Sequence, residues 1–66
     1  MTKLTRAQIN AIIYACDNAS EREREHAKIM LENHPERKDQ IERDEALYLL
    51  GVQTAYYQIM RAFGEI

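Results

Sequence analysis

Only one cysteine, Cys16, occurs in the 66 residues, so no disulfide can close within the chain, and a lone thiol suits a reducing compartment. With one proline and two glycines, turn-forming residues are scarce. No valine- or threonine-rich alternation exists either, and together these shortages argue against any sheet. Neither glycine belongs to a phosphate-binding loop, and no nucleophile–base spacing or cysteine metal motif is present, so no enzyme activity and no cofactor are expected. No apolar run approaches the roughly 20 residues of a membrane span, and the first residues lack the apolar core of a signal peptide, which predicts a soluble, cytoplasmic protein without a membrane partner. Nine bases against eleven acids leave a net charge of −2, too little cationic field to draw in nucleic acid or anionic lipid.

What the chain does have is a central reversal, Asn33-His34-Pro35. Proline is excluded from a helix interior but suits a first helical position, and Asn33 is able to take the left-handed conformation that closes a helix. The expected fold is therefore all-α, an antiparallel hairpin of two long helices forming a single domain over 1–66. Thr5 and Gln8 form a capping-box pattern, and Leu4 with Ile9 fits a hydrophobic staple. Ile9, Ile12, Ile13, Cys16 and Ala19 then recur on one face. Ser20 followed by Glu23 repeats the capping pattern after Asp17-Asn18 and raises a break near 17–20. Ala19 keeps the stripe in phase, however, and no glycine or proline intervenes, so a continuous helix is expected.

On the second helix Ile41, Tyr48, Leu49, Val52, Ala55, Tyr56, Ile59, Ala62, Phe63 and Ile66 are expected to face inward, and Gly64 to stop the helix. Gly51 and Ala55 would permit close helix approach. Partners across the hairpin should have numbers summing to about 68, which sets Cys16 opposite Val52 and gives Ile12, Val52, Tyr56 and Ile59 as the core. A second, narrower face carries Leu47, Leu50, Thr54 and Tyr57, with Arg61 at its end. One partner helix cannot cover both faces, so the second is the expected surface for self-association or for a protein partner.

Ten of the eleven acids and six of the nine bases lie in 17–45, which makes the turn end charged and the open end apolar. The same register sets Glu23 level with Glu45 and His26 level with Glu42. The string Glu21-Arg22-Glu23-Arg24-Glu25-His26-Ala27 is similar to the metal-ligand helix of the ferritin-like di-iron family. That resemblance implies metal-ligand candidates Glu23, His26, Glu42 and Glu45, with the site completed only in a dimer. Arg22, Arg24 and Arg43 offer the simpler balance of those acids, and on that ground no bound metal is expected.

A further row, Lys3, Asn10, Tyr14, Asn18 and Arg22, runs along the outer side of the first helix. This row, the opening Met-Thr-Lys and the late Arg-Ala-Phe-Gly-Glu look similar to the plasmid Rop family of dimeric RNA-binding hairpins. The resemblance implies an alternative RNA face along that row. The apolar register of the first helix departs from that family, and Glu25 stands where the row would continue with a base, so nucleic acid is not the leading expectation. The leading one is a non-enzymatic interaction protein. It would dimerise through its apolar end into a four-helix bundle and act as a regulator or inhibitor of a protein partner, in the style of phage and other mobile elements.

Overall fold

The computed structural model describes residues 3–65, and Ile66 lies outside them. Two helices make up almost all of it: α1 (Arg6–Asn33) and α2 (Lys38–Ala62), joined through a short 3₁₀ turn at Pro35–Arg37. Helix α1 begins in the expected capping box. The Gln8 backbone N–H donates to Thr5 Oγ1 (3.1 Å) and the Thr5 N–H donates to Gln8 Oε1 (2.9 Å), satisfying donors that the first turn leaves orphaned. Thr5→Ala should therefore cost about 1 kcal/mol in thermal unfolding followed by circular dichroism. The helix runs unbroken through 17–20. Ser20 is partly covered beside α2, and helix–helix contact outweighs the weak propensity of Asp17 and Asn18.

The reversal differs in detail from expectation. Asn33 stays helical, and among the described residues only Gly64 has positive φ, at 72°. His34 ends α1 instead, at φ −136° and ψ 64°, its N–H donating to the Met30 carbonyl at 2.7 Å. Pro35 opens the 3₁₀ turn and not α2 itself, because the tighter turn redirects the chain without a left-handed residue. Helix α2 stops as expected at Gly64. The Glu65 N–H donates to the Met60 carbonyl (2.8 Å) and the Gly64 N–H to Arg61 (3.1 Å), the paired bonds of a Schellman closure.

Along α2 the covered positions are Ile41, Glu45, Leu49, Val52, Tyr56, Met60 and Phe63, stepping by four, four and three residues. Helix α1 repeats those steps through Ile12, Cys16, Ser20, Glu23, Ala27, Leu31 and His34, with Ile9, Asn18, Ala19 and Met30 also partly covered beside them. Eleven residues in three turns is about 3.67 per turn, close to the natural 3.6, so the seam stays aligned with little supercoiling. The register summing to about 68 holds: Cys16 and Val52 line one groove, and Ala27 and Ile41 meet beside another.

This period corrects the expected core. Met60, 2% exposed, takes the inward position given to Ile59, which is 37% exposed. Tyr48, Ala55 and Ala62 are likewise exposed beside the seam, and Ile13 lies at its edge. Among the described residues only Ala27, Ile41 and Met60 are buried, while Ile12, Val52 and Tyr56 are half-covered. No heavy atom lies within 4 Å of where a Cβ on Gly51 would sit, so this glycine mediates no close approach to α1.

The shape explains why the core is so thin. The chain measures 49 × 17 × 11 Å with a radius of gyration of 15.1 Å, against about 11 Å for a compact chain of this length. Its smallest dimension is one helix diameter. Stable domains enclose a core between at least two packed layers, and this hairpin supplies one.

Candidate interaction surfaces

At the turn end, Glu23 and His26 border a small notch with Arg37 and Asp44. Glu45 opens on the opposite side of the seam, beside Arg24, Lys28 and Glu32. Glu42 is exposed. The two sides are separated because Glu45 follows Ile41 by four residues and Asp44 by one, which turns the neighbouring carboxylates to different sides of the seam. Among the described residues no group of three or more His, Cys, Asp or Glu side chains could hold a metal ion. The one side-chain contact at ion-pair distance among them is His34 Nδ1 with Glu36 Oε1 at 3.4 Å, so Arg22, Arg24 and Arg43 do not clamp the half-buried Glu23 or Glu45. Added Mn²⁺ or Fe²⁺ is expected to leave the melting temperature unchanged, equally in wild type, Glu23→Ala and His26→Ala. A rise confined to wild type would establish a metal site there.

The row on the outer side of α1 is open to solvent at Lys3, Asn10, Tyr14 and Arg22, while Asn18 is half-buried. It presents two bases and one aromatic ring, a thin complement for phosphate and stacked bases.

A concave groove lies along one side of the seam near the open end. This groove, of about 390 Å³, is lined by Ile13, Cys16 and Ser20 from α1 and by Leu49, Val52 and Tyr56 from α2. Asp17, Arg24 and Gln53 form its polar rim. An apolar floor shared by two helices and rimmed by polar groups has the make-up of a helix-packing surface. Cys16 sits in that floor as a half-covered small apolar side chain.

Leu47, Leu50 and Tyr57 stand on the far side of α2 from the seam, 60%, 58% and 51% exposed. Thr54 and Arg61 continue the line and are exposed as well. The sequence-derived second face is thus present as a solvent-facing stripe. It is joined to the groove by the edge-on contact of Tyr56 and Tyr57, whose ring centroids are 5.7 Å apart. A broader pattern escaped the sequence reading: residues 46–60 contain no charged side chain on any face. Four turns of helix without a charge are normally covered on more than one side. No helix among the described residues is long and apolar enough to cross a membrane. Comparison with protein-family models, curated proteins and solved structures finds no match for the chain.

Proposed function

We propose that this chain is a non-enzymatic interaction protein that works as a homodimer. Two hairpins close on each other through the groove side to form a four-helix bundle, which regulates or inhibits a protein partner through α2. One observation carries the reading: the isolated chain exposes 5324 Å². A compact chain of 7.8 kDa exposes about 4,400 Å². The excess, about 900 Å², is close to the ~800 Å² that each partner contributes to a standard stable interface. A second copy supplies the missing layer, and a two-fold arrangement sets each groove on its equivalent.

Multi-angle light scattering tests this directly. The expected mass at micromolar concentration is at least twice the 7.8 kDa of one chain. A monomer persisting at high concentration would refute the dimer.

A further inference from the structure

The outer stripe of α2 has its own spacing, and that spacing describes an occupant. Leu47, Leu50, Thr54 and Tyr57 step by three, four and three residues, and Arg61 follows after four more. The period is 3.5, the seam of a left-handed coiled coil, whereas the covered seam of the hairpin keeps 3.67. The same steps carried backward reach Arg43, four residues before Leu47. Arg43 and Arg61 are eighteen residues apart, five full turns, and so share one side of the helix at a separation of about 27 Å. Both are exposed, and neither has an acidic partner within ion-pair distance among the described residues. Between them the stripe has no charge. Of its two hydroxyls, that of Thr54 is already satisfied, donating to the Leu50 carbonyl at 2.8 Å. Covering that hydroxyl leaves no donor unpaired.

A second copy fits this stripe poorly. In the antiparallel pairing that overlays the apolar positions, Leu47 meets Tyr57, Leu50 meets Thr54, and Arg43 meets Arg61 at both ends. Parallel pairing in register sets each arginine against its equivalent. Either way cation faces cation at each end of the seam.

We propose that the α2 stripe binds an amphipathic α-helix of a different protein. That helix carries apolar residues at heptad spacing over about three turns, with acidic side chains at both ends to meet Arg43 and Arg61. This inference rests on the reading of α2 as the partner-binding helix and does not depend on the dimer. The probes are two fluorescein-labelled helical peptides of about 22 residues, long enough to span five turns. Both carry leucine at the heptad positions, one has glutamates at both ends, and the other has lysines there. Fluorescence anisotropy should show the glutamate-ended peptide binding about tenfold more tightly. The double variant Arg43→Glu/Arg61→Glu should invert that preference, which a merely structural role for the arginines would not do. Leu50→Glu should abolish binding while helicity and molecular mass stay those of wild type. A wild-type monomer that still prefers the acidic peptide would remove the dimer and support this interface. Equal binding of both peptides, or no binding to a fully helical protein, would overturn the proposal. So would a fall in molecular mass on Leu50→Glu, which would assign the stripe to a second copy.

Discussion

Ile41→Ala should destabilise the protein by about 2–5 kcal/mol, the range for truncating a buried aliphatic side chain. Ile41 is one of three buried residues among those described, and it closes the seam next to Ala27 near the turn. A domain this small has a total stability of about 5 kcal/mol, roughly 0.08 per residue, so the change should unfold much of the population at 37 °C. Met60→Ala should fall in the same range at the opposite end of the seam. Ile59→Ala should cost about 1 kcal/mol or less, since over a third of that side chain remains in water. Urea titration followed by circular dichroism separates the cases. Equal losses at 59 and 60 would mean that the seam follows the 3.5-residue period and not the longer one.

The other large effect is expected at Val52→Glu. Val52 lines the groove floor with Cys16 and is half-covered in the single chain; the proposed dimer would enclose it. A carboxylate there would be buried without a partner, which costs several kcal/mol unless the assembly opens. The variant should therefore scatter as a monomer and lose much of its helicity, because a single layer holds too little core to fold alone. The wild-type melting temperature should correspondingly rise with protein concentration, as mass action requires when the native state is a dimer. A helical, concentration-independent Val52→Glu protein with the wild-type mass would place the dimer contact elsewhere. Leu50→Glu, two residues away but on the far side of α2, should leave the mass unchanged, so the pair of variants distinguishes groove from stripe.

Much of this architecture is written locally. Thr5 with Gln8 starts α1, Gly64 stops α2, and the central proline forces the reversal, because each acts through bonds within a few residues of itself. The register follows from the position of the turn, and the exposed stripe from Leu47 to Arg61 was legible because residues three and four apart must share a face. What local pattern left open was the period. Both 3.5 and 3.67 residues per turn accommodate Leu49, Val52 and Tyr56, and they part only at the next step, Ile59 or Met60. The structure covers Met60, at 2% exposed, and leaves Ile59 at 37%; an unbranched methionine chain adapts readily to such a position. Of the expected inward pair Tyr48 and Leu49 only Leu49 is covered, and Glu45 lines a different notch from Glu23 and His26. The sequence by itself thus determined two helices, the outer end of each and their antiparallel pairing. Only the tertiary structure decided which edge of each apolar face is covered, because that choice depends on how one helix's side chains fit between those of the other.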